Sequence, residues 1–332
     1  MTDCKLSIIV PVYNVEQTLE RCVDSLIDQD LDVESYEIIM VNDGSIDQSQ
    51  TIANMLVGKY PNVLLFNQEN QGLSGARNTG MQNARGKYLM FVDSDDYIAT
   101  NCLKKLVDTC EKHSLEVCHF SLTSVREKGN FRGSIGSLKT DTIYSGYDIL
   151  LDGRLIGSAC SNLYLRSFMD KYQLMFYRGI THEDVEFSMR LYCHVKRVLI
   201  IKDEIYFYTY NTSSLSKDRR NIEKENKYVC DAAVIGRLSK EYVQQHVKDE
   251  RIKDLVIRRV NTSVVANLYT LLKQKSRPAL VVENLIDAYR ENGLFPIWGK
   301  CLNWKSRLMG FVFCNAYLYK KIYRFKRRKF EF

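Results

Sequence analysis

Tyr88-Leu89-Met90-Phe91-Val92-Asp93-Ser94-Asp95-Asp96 is an apolar run that ends abruptly on three carboxylates. An unbroken apolar run of this kind fits a strand covered on both faces, as in a parallel sheet. Three earlier runs share the character: Leu6–Val12, Tyr36–Val41 and Val63–Phe66. Helix-period stripes follow the same part of the chain, in Leu19, Cys22, Val23, Leu26 and Ile27, in Ile52, Met55 and Leu56, and in Leu103, Leu106, Val107 and Cys110. Strand–helix alternation over about 120 residues predicts an α/β fold, a Rossmann-like, mostly parallel sheet flanked by helices.

Each predicted strand ends on polar sequence: Tyr13-Asn14-Val15-Glu16, Asn42-Asp43-Gly44-Ser45, Asn67-Gln68-Glu69-Asn70 and Asp93-Ser94-Asp95-Asp96. Open α/β sheets bind ligands beyond the carboxyl ends of their strands, so four acidic ends together point to a site. Asp93 and Asp95, two apart in extended chain, point to the same side. Like charges that close disfavour each other's ionisation unless a positive group lies between them. Mg2+ or Mn2+ would relieve the repulsion, and such a cation is usually completed by substrate phosphates. The plainer alternative is a turn whose aspartates cap the next helix.

Composition narrows the classes. Apolar residues make up 45% and charged residues 26% of the 332, which is globular. The ten cysteines form no CxxC pair, so reduced thiols in a cytoplasmic protein are expected instead of a zinc cluster or disulfide framework. The amino terminus reads as no signal peptide, and no run reaches the roughly 18 uncharged apolar residues of a membrane span. Gly72, Gly75 and Gly80 are not spaced as GxGxxG, which disfavours a nicotinamide-dependent dehydrogenase.

Further along, strands are expected at Glu116–Leu122, Val198–Ile201 and Ile205–Tyr210, around a helical stretch Ser158–Tyr172. Thr181-His182-Glu183-Asp184 precedes a helix with Val185, Met189 and Tyr192 on one face. From about Asn221 onward the pattern is helical, giving a catalytic domain over 1–215 and a helical region over 220–332.

Five segments resemble, in order and spacing, the family 2 glycosyltransferases: Ser7-Ile8-Ile9-Val10-Pro11-Val12-Tyr13-Asn14, Val41-Asn42-Asp43-Gly44-Ser45, Gly72-Leu73-Ser74-Gly75-Ala76-Arg77-Asn78-Thr79-Gly80, Asp93-Ser94-Asp95 and Glu183-Asp184. The resemblance covers residues 5 to about 215 and implies the GT-A fold and an inverting, metal-dependent transfer from a nucleotide sugar, typically UDP-linked. It implies a donor site of Pro11, Tyr13, Glu16, Asp43, Arg77, Asp93, Ser94 and Asp95. In it Pro11 and Tyr13 line the base and ribose pocket, Asp43 accepts a hydrogen bond from the base, and Arg77 orders the donor loop. Asp95 would ligate the metal with Asp93 in support, Asp184 would be the general base, and Glu183 would orient it. The family usually has two aspartates before Gly44-Ser45, where this chain has Asn42 and Asp43. A Gln-x-x-Arg-Trp motif, which marks the membrane-embedded synthases of the family, is missing.

The chemistry is consistent with so few groups. Inverting transfer needs one base for the acceptor hydroxyl, because a metal-neutralised diphosphate leaves without a general acid. A glycosidase needs two carboxyl groups. The plain alternative for Glu183-Asp184 is helix capping by Thr181 or Asp184. Tyr208–Lys217 resembles the segment that closes over the donor in relatives; an ordinary polar loop is the alternative. Two other functions stay open: a non-catalytic nucleotide-sugar-binding subunit of an assembly complex, and a nucleotidyltransferase, although no glycine-rich phosphate loop follows the first strand.

Charge is uneven. From Lys300 to Phe332 there are ten Lys or Arg and one Glu, a net of +9 within a total of +7, so the other 299 residues carry −2. A helix face of Leu308, Val312, Ala316, Tyr319 and Tyr323, widened by Phe311, Leu318, Ile322 and Phe325, precedes seven cations between Lys320 and Lys329. Aromatic and basic residues at this density predict peripheral contact with the inner face of the cell membrane, and a lipid-linked acceptor such as a polyprenyl-diphosphate-linked oligosaccharide. No nucleic-acid role is expected.

Overall fold

The computed structural model describes residues 4–126, 129–132, 138–152, 157–209, 222–273, 279–297, 299–313, 319 and 321. The chain divides into two compact units. One comprises Met1–Asp152, Ile156–Gly179 and His194–Thr212, and the other Gly153–Leu155, Ile180–Cys193 and Ser213–Phe332. The stretch holding Glu183 and Asp184 therefore belongs to the unit of the carboxy-terminal helices.

In the first unit, β1 (Leu6–Val12) pairs in parallel with β2 (Tyr36–Asp43) and β4 (Tyr88–Phe91), and β3 (Val63–Gln68) continues beyond β2. Every residue of β1, β2 and β4 is buried, as their unbroken apolar sequence requires. The parallel register aligns Val12 with Asn42, and Asn42 with Asn67, so the loops after these strands open at one edge. The sheet grows through strands that the early repeat does not announce. β5 (Tyr97–Ile98), β6 (Val117–Arg126), β9 (Asn162–Leu165) and β10 (Val198–Thr209) give the order β3-β2-β1-β4-β9-β6-β10-β5, with the short β7 (Gly129–Arg132) paired to β6 and β8 (Ile143–Tyr144) to β10. β9 runs antiparallel to β4 and β6, and β10 runs parallel to β6.

Helices α1 (Leu19–Ile27), α2 (Ser49–Lys59), α3 (Gly72–Asn83) and α4 (Leu103–Lys112) accompany the sheet, and the short α5 (Gly146–Leu151) follows β8. The stripe of α4 is buried as its periodicity requires, and so is that of α1 except for Ile27, which is half-buried at the helix end. Several expectations need correction. Met55 faces solvent, because α2 buries Ser49, Ala53 and Leu56. β3 is an edge strand in which only Val63 is fully buried. Ser158–Tyr172 is not one helix: after a short 3-10 turn the chain forms β9, then α6 (Arg166–Lys171). Tyr164 packs edge-on against Phe91 of β4, so sheet packing overrides the local preference of this segment. The two strands expected over 198–210 are one irregular strand, β10, with register shifts between Ile200 and Tyr206.

The second unit holds α7 (Glu183–Tyr192), α8 (Ile222–His246), α9 (Glu250–Lys273), α10 (Ala279–Glu291) and α11 (Trp304–Phe313). Its core includes Val256, Val260, Val264, Val265 and Leu268 of α9 and Val281, Leu285 and Ile286 of α10, and both helices pack on α8. The face predicted for the tail is divided. Leu308 and Phe311 are exposed, whereas Tyr319 is buried and donates its hydroxyl to the Leu268 carbonyl at 2.6 Å. The side chains of Val312, Ala316, Leu318, Ile322, Tyr323 and Phe325 lie outside the described residues, as do most of Tyr208–Lys217 and nearly all the terminal cations. Among the described residues no helix is long and apolar enough to cross a membrane.

Candidate active site

The loops after β1 and β2 are laced together by reciprocal hydrogen bonds. Asn14 N–H donates to Ser45 Oγ (3.2 Å) while Ile46 N–H donates to Asn14 Oδ1 (2.9 Å). One turn on, Glu16 N–H donates to Asp47 Oδ2 (3.1 Å) and Gln48 N–H to Glu16 Oε2 (3.0 Å). Glu16 thus holds the neighbouring loop, Pro11 is buried in β1, and Tyr13 stands half exposed at its end. Gly44 has φ +73°, a left-handed turn that a side chain would strain.

Asp43 is buried, and its Oδ1 accepts from Gln68 Nε2 (2.6 Å) and from the Gln71 N–H (2.8 Å). Gln68 is in turn fixed by Thr79, whose hydroxyl donates to Gln68 Oε1 at 2.5 Å. Asn42 explains the departure from the usual pair of aspartates. Its amide donates to Asn67 Oδ1 across the sheet (3.0 Å), and its Oδ1 accepts the Ser45 N–H of the turn (3.1 Å).

At the end of β4 the three aspartates have different surroundings. Arg77, buried in α3 and lying over the Phe176 ring, donates through Nη2 to Asp93 Oδ1 at 2.8 Å. Ser94 is buried. Burial raises the pKa of Asp95, and the charge of Asp93 adds to the effect. Asp96 is 1% exposed, accepts from Tyr206 Oη (2.6 Å) and the Thr209 N–H (2.8 Å), and is pushed up to about 8 by burial and then by Asp93. Tyr206 Oη accepts the Asp93 N–H (3.1 Å), and Arg21 Nη2, over the Tyr97 ring, donates to the Asp95 carbonyl (2.7 Å) and to Thr209 Oγ1 (3.1 Å).

In the second unit, α7 begins at His182, whose φ of +62° is left-handed and rare for a residue with a side chain. The side chain of His182 makes no capping hydrogen bond at the helix end. Thr181 donates both its N–H (2.6 Å) and its hydroxyl (2.9 Å) to Asp231 Oδ2 of α8, which also receives Lys227 Nζ (2.9 Å). Asp184 Oδ1 accepts the Val185 N–H at 2.8 Å. The His182 ring lies 4.0 Å from that of Tyr228, and burial lowers its pKa. Glu183 and Asp184 occupy the first turn of α7, where the helix dipole favours negative charge.

Arg21, Gln68, Tyr206 and Asp231 were not legible as site residues. Arg21 sits on the polar face of α1, and Asp231 reads as half of an ordinary Lys227–Asp231 helix pair.

Residues 7–173 match the family model described as Glycosyl transferase family 2. The chain belongs to that family. It is 34% identical over 218 residues to the glycosyltransferase EpsJ of Bacillus subtilis (strain 168), covering 64% of this chain and 63% of EpsJ. It is 30% identical over 252 residues to YibD of Escherichia coli (strain K12), covering 73% of each. It spans less than two thirds of several relatives, including 47% of the poly(ribitol-phosphate) beta-N-acetylglucosaminyltransferase TarS of Staphylococcus aureus (strain Mu50 / ATCC 700699). The crystal structure of S. aureus TarS 1–349 superposes with a TM-score of 0.73 at 21% identity over 98% of this chain and 91% of that one. The same fragment in complex with UDP gives 0.70 at 22% identity over the same shares. At such identity the likeness establishes the fold, which is the GT-A arrangement of that enzyme.

The acid turn fits a divalent cation by the chemistry of its donors. No group of three or more His, Cys, Asp or Glu among the described residues is disposed to enclose a metal. Sites completed by substrate phosphates need only one or two carboxylates. Asp95 and the second oxygen of Asp93 supply that number.

Proposed function

We propose that the protein is an inverting glycosyltransferase that moves a sugar from a UDP-sugar to a hydroxyl of a glycan or lipid-linked acceptor in bacterial surface-polymer synthesis. The observation that carries this reading is the acid turn after β4, with Arg77 seated on Asp93. The names of the relatives, glycosyltransferases of bacterial cell-surface polymers among them, support the class of acceptor. The complexes of TarS with UDP and UDP-GlcNAc support a uridine donor.

Pro11 and Tyr13 flank the nucleoside, and Asp43, oriented by Gln68 and Gln71, meets the base. Asp95, with Asp93 and Ser94 beside it, would hold Mn2+ or Mg2+, which would supply positive charge to neutralise the leaving diphosphate. Asp184 takes the proton of the acceptor hydroxyl as that oxygen attacks the anomeric carbon in line, and Glu183 orients it. The protein works at the inner face of the cell membrane, with its basic tail in peripheral contact.

A panel of UDP- and GDP-sugars with manganese, scored by nucleotide release in the presence of acceptor glycans, tests the reading. Asp184→Asn is expected to lower transfer by about 10²–10⁴-fold, the usual contribution of a positioned base, with UDP binding retained. Metal-dependent transfer that survives the substitution rejects Asp184 as the base.

A further inference from the structure

We infer that the outward face of α11 is an interfacial surface that lies on an anionic lipid bilayer. Trp304, Leu308 and Phe311 recur at spacings of four and three, so they share one side of the helix. Their exposures are 70%, 59% and 82%, values at odds with three large apolar side chains on one face. The opposite side is committed to the core. Ser306, Gly310 and Phe313 are buried, and a Cβ at Gly310 would stand 3.3 Å from Val265 Cγ2 of α9. The orientation of α11 on its unit is thereby fixed, and its apolar stripe faces outward.

Charge selects the occupant. Lys305 and Arg307, both exposed, sit on the two shoulders of the stripe, one on each side of the Trp304–Phe311 line. Lys305 Nζ lies 5.9 Å from the Trp304 ring centroid. From Asn292 to Phe330 the sequence has no Asp or Glu, whereas the rest of the chain is close to neutral. An apolar centre with an indole ring and basic shoulders is what a helix in the headgroup plane requires, with the cations reaching back toward the phosphates. A second copy of the chain fits less well. Three side chains on a convex helix fall far short of the roughly 800 Å² per partner of a stable interface, and like-charged shoulders would meet. The inference extends the proposed tail contact to a described helix and does not depend on the transfer reaction.

The test is flotation of the full chain with phosphatidylcholine vesicles, with and without phosphatidylglycerol. The unaltered protein is expected to float only with the anionic vesicles. The triple variant Trp304→Ser, Leu308→Ser, Phe311→Ser should bind at least tenfold more weakly with its melting temperature unchanged. Lys305→Gln with Arg307→Gln should weaken binding by about fivefold per charge removed. A second readout uses Trp298→Phe, which leaves Trp304 as the only tryptophan. Its emission should move to the blue on anionic vesicles and stay put on neutral ones. Unshifted Trp304 emission on anionic vesicles overturns the inference. So does flotation by the triple variant equal to that of the unaltered protein, with binding lost only when the cations from Lys320 to Lys329 become Gln. A concentration-dependent dimer that the triple variant abolishes overturns it in favour of a second copy. Nucleotide-sugar hydrolysis is read separately in every variant, so failure of the transferase reading leaves the flotation result standing.

Discussion

Asp96→Asn isolates the electrostatic cost of the acid turn. Asp96 is pushed up to about 8, because burial and the charge of Asp93 both disfavour its ionised form. In the unfolded chain its pKa is about 3.9. The folded state therefore keeps a proton that the unfolded state has released throughout the window between these values. Stability contributed by this group is fully present below the unfolded pKa and is lost as pH rises toward the folded one. The slope is about −1.4 kcal/mol per pH unit, so roughly 4 kcal/mol is lost between about pH 5 and about pH 8. Asn copies the shape of the neutral acid, and its carbonyl oxygen replaces Asp96 Oδ1 as acceptor for the Thr209 N–H. Its stability should lack this slope. Urea unfolding in chelator-containing buffer across the window is expected to show the variant gaining on the unaltered protein with each unit of pH. Parallel curves would refute the reasoning, since Asp96 would then ionise in the folded state much as it does in water.

Two further substitutions probe the architecture. Asp231→Ala removes the acceptor for the Thr181 N–H and hydroxyl, at a cost of about 1–3 kcal/mol, and frees the left-handed turn before Glu183 and Asp184. Steady-state kinetics should show a fall in kcat with little change in donor KM, and Asp231→Asn, which keeps an acceptor, should recover most of it. A kcat unchanged by Asp231→Ala separates the α8 contact from catalysis. Gly86→Ala places a Cβ 2.4 Å from the Ser7 backbone nitrogen, where no side chain can turn aside, so calorimetry should show a large fall in Tm. Gly58→Ala, in open space within α2, should raise Tm slightly, and equal effects from the two would reject the packing argument.

The part of the fold that sequence discloses is the part with one-dimensional signals. β1, β2 and β4 are unbroken apolar runs because both faces of each are covered, and α1 and α4 carry full stripes. α3 is silent to periodicity because it buries Ser74, Gly75, Arg77 and Asn78 in place of aliphatic residues. Gly80 lets α3 sit against Ile9, where a Cβ would come within 2.3 Å. The site divides the same way. Asp43, Arg77, Asp93 and Asp95 stand out through local motifs, but the groups that hold them come from far along the chain. Tyr206 is 110 residues from Asp96, and Asp231 is 50 from Thr181. Neither has a local mark, because its role exists only once the strands and helices have assembled.

The three aspartates after β4 also explain how one turn can carry so much acid. Asp93 is compensated by the Arg77 guanidinium, a charge-assisted bond at 2.8 Å from a buried donor. Burial and the charge of Asp93 push Asp96 up to about 8, which favours its neutral form and so lessens the negative charge of the turn without a second cation. Asp95 is left as the carboxylate whose ionisation burial and then the charge of Asp93 oppose, against the weaker pulls of a backbone hydrogen bond and of Arg21. A divalent ion favours the ionised form of such a group, so binding one would release the strain that burial places on Asp95. Neutralising Asp93 and Asp96 by different means concentrates the demand for a cation on a single oxygen pair. In the proposed reaction that pair, with the second oxygen of Asp93, would hold the cation that neutralises the leaving diphosphate.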